Sequence, residues 1–236
     1  MRRHKKKRER TMVIIIVLIG IVLLNIWYHK TVGTFLLPTM NKVIVIDAGH
    51  GGIDGGAVGR NGVLESHINL EIALKLRRLL EESGAMVILS RDEDMGLYSD
   101  QGTIRNKKNE DLRNRKTLIE ESHADIFVSI HLNSFPQAQY YGAQTFYPRN
   151  CEKSKKLAEH IQEELIRVLN NGNTRESKVK SDVYLMKNTT IPTVLVECGF
   201  LSNANEEKML QDSTYQEKVA WSIYIGIIRY FQGENE

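Results

Sequence analysis

The sequence predicts an α/β fold: a single domain with a mainly parallel or mixed twisted sheet and helices on both faces, preceded by an N-terminal membrane helix. Three observations support this class. Short β-branched runs alternate along the chain with apolar residues at helical spacing. Several of the runs are too apolar for half-exposed strands, which is typical of a sheet covered on both faces. The length beyond the apolar N-terminal segment suits one domain.

The N-terminal segment is predicted to be a basic cytoplasmic tail, residues 1–11, followed by a transmembrane signal anchor, residues 12–28. The anchor is uncharged and ends in aromatic residues, as interfacial anchors do. Seven basic residues precede it and only Lys30 follows closely, so the positive-inside bias predicts that the rest of the chain is exported. A cleaved signal peptide is the alternative, although no small-residue cleavage site follows the apolar run.

The formal net charge of +3 belongs to this tail rather than to the domain. The first 30 residues hold eight Lys/Arg and one Glu, which leaves 24 basic and 28 acidic residues in the remainder. The positive charge therefore forms no basic surface on a folded domain. A nucleic-acid partner is not predicted.

A short linker is predicted over residues 29–41 and the folded domain over residues 42–236. Sheets of this class bind ligands at the carboxyl ends of their strands, so polar residues at those ends are of interest. Five apolar runs are predicted to be strands: Val43–Ala48, Met86–Ser90, Ile126–Ile130, Ala143–Tyr147 and Thr193–Cys198.

Apolar residues at helical spacing predict four helices in the same domain. A Ser66 cap is expected to begin the first, and a capping box formed by Ser213 and Gln216 is expected to begin the last. The apolar sets lie at Ile68–Leu80, Leu112–Ser122, Leu157–Val168 and Val219–Tyr230.

Two cysteines, Cys151 and Cys198, are too few for a disulfide framework. An exported domain allows one bridge between them, but Cys198 lies in an apolar strand, as a small buried hydrophobe does. No neighbour in sequence would activate a thiolate, so neither is predicted to be a nucleophile.

Two histidines and a glutamate are candidate metal ligands. His50 follows the first strand between glycines, which let the backbone turn sharply and let a ligand approach. His131 follows the third predicted strand, and Glu65 precedes the first helix of the domain. Two histidines and one glutamate form a catalytic zinc shell that leaves a position for water. The alternatives are a hydrogen-bonded core histidine for His131, a helix-stabilising acid for Glu65 and His67 as a rival ligand.

Glu197 lies inside an apolar strand, where a carboxylate is costly to bury unless it is paired, bound to metal or functionally tuned. We predict that it is the general base beside the metal. The alternative is a buried salt bridge to an Arg or Lys. Asp47 and Asn69 are candidates for orienting the ligands.

Three arginines and two tyrosines are weaker candidates for substrate contact. The arginines can contact carboxylates or other polar groups of a substrate, or else be solvated or structural. The tyrosines follow His131 and can line a binding groove. These residues are Arg91, Arg113, Arg115, Tyr140 and Tyr141.

The candidate residues belong to several motifs, which follow one another over residues 42–231. They are Ile46–Gly52, Glu65 opening a helix, Ser90–Asp92, Ser129–Ser134 and Val196–Asn203. Together they resemble the zinc-dependent N-acetylmuramoyl-L-alanine amidases. The arrangement of one catalytic domain behind an N-terminal anchor is most similar to the germination-specific members of spore-forming bacteria.

The resemblance implies that Zn²⁺ is bound by His50, Glu65 and His131 and that Glu197 is the catalytic carboxylate. It implies hydrolysis of the amide between the lactyl group of N-acetylmuramic acid and the L-alanine of the stem peptide. In germination-specific members, this prepares spore cortex for muramic lactam formation. The implied partners are peptidoglycan and the membrane. With this substrate, the arginines would contact peptide carboxylates or muramyl groups, and the tyrosines would line a glycan groove.

Many family members have separate wall-binding repeats, and some have an inserted helix that plugs the active site. The sequence shows no such repeats and no long insertion clearly fit for that helix. Targeting is therefore expected from the anchor or from a protein partner that the sequence does not identify. Two other functions stay open: a zinc hydrolase of carboxypeptidase or deacetylase type, and a wall-binding module without catalysis.

Overall fold

The computed structural model describes residues 2–35 and 37–234. One compact unit ends at Leu37 and the other begins at Pro38. In the first unit, α1 (Arg2–Phe35) includes Arg10–Trp27, which is long and apolar enough by length and composition to cross a membrane. The helix also includes the first residues of the predicted linker. Residue 1 of the predicted tail, residue 36 of the linker and residues 235–236 of the domain lie outside the described residues.

The second unit is built on a six-stranded mixed sheet. Its strands are β1 Val43–Ala48, β2 Met86–Leu89, β3 Ile126–Asn133, β4 Gln144–Tyr147, β5 Lys178–Val179 and β6 Thr193–Phe200. Their order in the sheet is β2-β1-β3-β6-β4-β5. The strands β2, β1, β3 and β6 are parallel, β4 is antiparallel to β6, and β5 is parallel to β4.

Helices cover both faces of this sheet. The helices of this unit are α2 Glu65–Glu82, α3 Ile104–Glu121, α4 Glu152–Leu169, α5 Ala204–Leu210 and α6 Ser213–Glu234. Three of them, α2, α4 and α6, enclose the larger core, while α3 and a 3₁₀ turn at Tyr184–Met186 enclose a smaller one. The prediction of an α/β domain with helices on both faces is confirmed.

Two strands run further than the sequence predicts, and this changes the place of His131. Because β3 continues to Asn133, His131 lies within the strand rather than after it. Glu197 lies within β6, as predicted, and this strand continues to Phe200. The parallel register pairs His131 directly with Glu197. The strand β5 was not predicted because it has only two residues and both are exposed.

The start of α2 differs from the prediction of a Ser66 cap. The helix begins at Glu65, and no side chain caps it. Instead, the N–H of Glu65 donates to the carbonyl of Ala57 at 2.9 Å, and the N–H of Ser66 donates to that of Gly55 at 3.1 Å. Loop carbonyls thus satisfy helix donors that a cap would otherwise bind.

Two other helix starts were also placed wrongly. Ser213 is the first residue of α6, and the carboxylate of Asp212 accepts the N–H of Tyr215 at 2.9 Å in place of the predicted box. The helix α3 begins at Ile104, eight residues before the predicted start, after a Thr103 cap. Its first turns are polar and exposed, so apolar periodicity does not reveal them.

Candidate metal centre

The structure brings His50, Glu65 and His131 together, with one ligand atom of each within 4.8 Å of the others. His50 Nε2 lies 3.3 Å from Glu65 Oε1, and His131 Nδ1 lies 3.1 Å from the same oxygen. The two imidazole rings meet edge to face with their centroids 5.0 Å apart. Two nitrogens and one carboxylate oxygen therefore point at a common place.

The rival ligand His67 lies outside this group. Its side chain is exposed, and its Nε2 is 3.1 Å from a carboxylate oxygen of Asp94. Glu65 turns inward from the first position of α2, and two residues further on the side chain of His67 faces outward.

His50 is held in an unusual backbone conformation at the end of β1. Its φ is 63°, in the left-handed region that residues other than glycine seldom adopt. The guanidinium of Arg115 donates to its carbonyl at 2.7 Å. Gly49 before it has no side chain, and a Cβ there would lie 2.3 Å from the ring of His131. The glycine is therefore needed so that both imidazoles fit.

Glu65 is fixed by hydrogen bonds to both carboxylate oxygens. Oε2 accepts the N–H of Ala57 at 2.9 Å, and Oε1 accepts the N–H of Leu132 at 3.0 Å. Asn69, one turn along α2, donates to Oε1 at 3.3 Å and to the carbonyl of Gly49 at 3.2 Å. Asn69 therefore contacts the ligand group, as an orienting residue would.

Asp54 fixes His50 from the other side, and the sequence analysis missed it. Its Oδ2 lies 2.9 Å from His50 Nδ1, so Nε2 is left to face Glu65. Its Oδ1 accepts a hydrogen bond from Lys108 Nζ at 2.7 Å. A carboxylate bound to the distal nitrogen of a histidine is the usual way to orient a metal ligand. The available signal was an acid four residues after His50 in a glycine-rich loop.

The charges of this group favour a cation. Burial alone would lower the pKa of His50, but hydrogen bonds with Asp54 and Glu65 outweigh it and raise the pKa to about 9. Burial alone would raise the pKa of Glu65, but the two histidines hold it well below its ordinary range. A site that attracts a proton so strongly also suits a metal cation, and two imidazoles with one carboxylate are a zinc-type donor set.

Glu197 lies beside this group, paired in register with His131 on the neighbouring strand. It is 8% exposed, and its Oε2 has no hydrogen-bond partner among the described residues. Its Oε1 is 3.4 Å from Lys180 Nζ. The salt bridge considered as an alternative therefore exists at one oxygen. The other oxygen has no partner in the described part of the chain, so it remains the candidate for the predicted base.

Arg115 is structural, which is one of the two alternatives that the sequence leaves open for this residue. It pairs with Asp47 at 2.6 Å, and both side chains are about 2% exposed. Asp47 also accepts the hydroxyl of Ser129 at 2.8 Å and contacts no member of the ligand group through a hydrogen bond among the described residues. Burial alone would raise the pKa of Asp47, but the charges of Arg115 and His131 and the hydrogen bonds from Arg115 and Ser129 together outweigh it and lower the pKa to about 2.

Arg91 is also structural. It is buried, and it donates to the carbonyls of Ala48, Gly49 and Ser66 at 2.7–3.1 Å. These bonds fasten the loop after β1 to the start of α2. Arg113 is exposed, so its contact with substrate stays a prediction.

Tyr140 and Tyr141 are exposed in the loop between β3 and β4. Tyr140 lies edge to face with Phe135 at 5.6 Å, and Phe135 lies 5.4 Å from Phe200 at the end of β6. Phe135 was not singled out from the sequence, because a lone aromatic residue in a loop carries no pattern. A role of these rings in glycan binding stays a prediction.

The two cysteines are free in the structure. Cys198 is fully buried in β6, as predicted for a small hydrophobe, and burial raises the pKa of its thiol above the ordinary range. Cys151 is partly exposed at the start of α4. The structure contains no bridge between them.

Comparisons with known proteins agree with this geometry. The germination-specific N-acetylmuramoyl-L-alanine amidase of Bacillus subtilis is 47% identical over 197 residues, which are 83% of this chain and 82% of that protein. The amidase LytC of the same organism is 36% identical over 198 residues, and the match spans 36% of its length.

A solved structure and a family model each cover most of the chain. The CwlD amidase from Clostridioides difficile, solved in complex with the GerS lipoprotein, is 56% identical with a TM-score of 0.81, covering 82% of this chain and 100% of that chain. The model of the family described as N-acetylmuramoyl-L-alanine amidase matches residues 44–229. The chain belongs to the N-acetylmuramoyl-L-alanine amidase family.

Proposed function

We propose that this chain is a zinc-dependent amidase that hydrolyses the bond between N-acetylmuramic acid and L-alanine in peptidoglycan. Amidase activity follows from family membership. The observation that supports the zinc mechanism is a cation-favouring group of His50, Glu65 and His131 beside Glu197, a buried carboxylate with one unpaired oxygen.

Zn²⁺ would be held by His50, Glu65 and His131, and when bound it would lower the pKa of a water and polarise the scissile carbonyl. Glu197 Oε2 accepts a proton as the water oxygen adds to the carbonyl carbon. The same oxygen then returns the proton to the alanine nitrogen as the carbon–nitrogen bond breaks. The products are a free lactyl carboxylate and a stem peptide with a free amine.

The proposed setting is the spore cortex, where removal of stem peptides prepares muramic acid for lactam formation. The similarity to a germination-specific amidase supports this setting. The apolar helix α1 supports export of the domain, and we propose that it stays as a membrane anchor rather than being cleaved as a signal peptide. The C. difficile relative was solved with a lipoprotein, which supports an activating protein partner for this chain.

The decisive experiment identifies the bond that is cut. The full chain, loaded with zinc in detergent, is incubated with defined muropeptides, and the products are measured by mass spectrometry. Free lactyl ends with intact stem peptides are expected. Loss of a terminal amino acid or of an acetyl group would instead assign a carboxypeptidase or a deacetylase. Binding without product would assign a wall-binding module.

The variant Glu197→Gln tests the role of the carboxylate in the same assay. It keeps the size of the side chain but removes the base, so zinc content should be unchanged and hydrolysis lost. General bases typically contribute about 10²- to 10⁴-fold to rate. Turnover at the level of the unmodified chain would exclude Glu197 as the base.

A further inference from the structure

We propose that Lys180 is a positioning residue for the reaction: it holds Glu197 by one carboxylate oxygen and so directs the other toward the water. The inference rests on the proposed function of Glu197. Lys180 Nζ lies 3.4 Å from Glu197 Oε1, while Oε2 is buried without a hydrogen-bond partner among the described residues. The two oxygens of one carboxylate are thus in different environments.

The fold places this lysine by a short edge strand. Lys180 directly follows β5, and its backbone N–H donates to the carbonyl of Tyr147 on β4 at 2.9 Å. Its ammonium lies 4.9 Å from the centroid of the Phe146 ring, a cation–π distance. The side chain is one-third exposed, so the ammonium keeps contact with solvent while it reaches a carboxylate that is 10% exposed. A lysine held at both ends needs little further ordering to fix its partner.

The other neighbour of Glu197 in the sheet does not take this role. Gln144 on β4 is paired in register with Glu197. Its amide is already bound, because Oε1 accepts the guanidinium of Arg175 at 3.0 Å and Nε2 donates to the carbonyl of Glu176 at 2.8 Å. In the described part of the chain, Lys180 is therefore the side chain that binds the carboxylate of Glu197.

Holding one oxygen has a kinetic consequence. A carboxylate that rotates freely presents its unpaired oxygen to the water only part of the time, and small misplacements at a reacting centre cost up to about 10²-fold in rate. A lysine that instead bound a carboxylate of the substrate would act on binding. Positioning predicts a loss in kcat, whereas substrate recognition predicts a rise in KM.

The test compares three variants of the zinc-loaded full chain. Lys180→Met keeps the length of the side chain but removes the ammonium, and Lys180→Arg keeps a cation. Lys178→Met is the matched control, because Lys178 is an exposed lysine of β5, two residues before Lys180. We measure kcat and KM on a defined muropeptide, zinc content by elemental analysis and the thermal midpoint of unfolding.

Lys180→Met is expected to lower kcat by about 10- to 100-fold, with KM, zinc content and thermal midpoint unchanged. Lys180→Arg should recover part of kcat, and Lys178→Met should behave like the unmodified chain. An unchanged kcat, a rise in KM alone, or an equal loss in Lys178→Met would each overturn the inference. So would loss of zinc or of thermal stability in Lys180→Met, which would make the residue structural.

Failure of the proposed base is distinguishable from failure of this inference. If Glu197→Gln keeps full activity, both are wrong. If Glu197→Gln is inactive while Lys180→Met retains the kcat of the unmodified chain, only the role of Lys180 is wrong.

Discussion

Two groups of charged residues lie at the carboxyl end of β1. One contains Asp47 and the other contains His50, three residues later in the sequence. Asp47 points into the domain and is paired with Arg115, and both side chains are about 2% exposed. His50 belongs to the group with Glu65 and His131, where the two histidines are 26% and 21% exposed. The first group is closed by its own hydrogen bonds, whereas the second keeps ligand atoms facing one another at the surface.

The difference separates a structural from a functional use of charge. Arg115 donates to Asp47, Asp111 and the carbonyl of His50, so its charge is compensated inside the protein. A buried pair of this kind is expensive to break because the remaining charge has no solvent to replace its partner. In the histidine group, a carboxylate oxygen and two ring nitrogens instead lie close together, so a bound cation can compensate the negative charge.

The largest expected effect is loss of the metal site in His50→Ala. Removing one of three ligands should abolish stoichiometric zinc binding, measured by elemental analysis after dialysis, and hydrolysis with it. His67→Ala is the matched control, because His67 is exposed and lies outside the ligand group. Equal loss of zinc in the two variants would contradict the assignment of His50 rather than His67 as a metal ligand.

The buried pair should respond in stability rather than in metal binding. Asp47→Asn removes the more deeply buried of the two carboxylates that pair with Arg115, and we expect the free energy of unfolding to fall by about 3–5 kcal/mol. Urea titration followed by circular dichroism measures this change. As a control, Glu71→Gln breaks a surface pair with Lys75 at 3.6 Å and should cost about 0.5 kcal/mol or less. Similar costs for both variants would contradict the comparison.

The same pair should also give a pH dependence of defined sign. The pKa of Asp47 is about 2 in the folded protein, below its ordinary value of 3.8. The stability it contributes is therefore fully present above pH 3.8 and is lost as the pH falls through about 2. The difference in unfolding free energy between the unmodified chain and Asp47→Asn should shrink over that window. A difference that stays constant from pH 5 to pH 2 would count against the pair.

A smaller effect is expected at Asp54, which binds His50 but is not one of the three candidate ligands. Asp54→Asn weakens the hold on His50 Nδ1 while the three ligands remain, and we expect zinc affinity to fall by about 10- to 100-fold in a chelator competition assay. Asp94→Asn breaks the comparable contact with His67 and should leave zinc affinity unchanged. Unchanged affinity in Asp54→Asn would show that Asp54 does not orient the ligand.

Local sequence patterns predicted which residues come together as candidate metal ligands, but they did not predict the residues around them. Glycines beside His50 and a carboxylate inside the apolar strand of Glu197 are visible in a few consecutive residues. Arg115 carries no such signal, because an arginine on a polar helix has the same local pattern whether it is buried or exposed. Lys180 was missed for a similar reason, since β5 is too short to have a period.

The sequence by itself determined the alternation of strands and helices, the apolar N-terminal helix and the choice of candidate ligands, because these depend on residue type and spacing. Tertiary structure alone decided which charges meet. Glu65 and His131 are 66 residues apart in the chain, and Asp47 and Arg115 are 68 apart. Whether such groups bind each other or remain available to a metal depends on distance and burial. Those are set by the packing of α2 and α3 against the sheet, and the spacing of residues along the chain does not encode them directly.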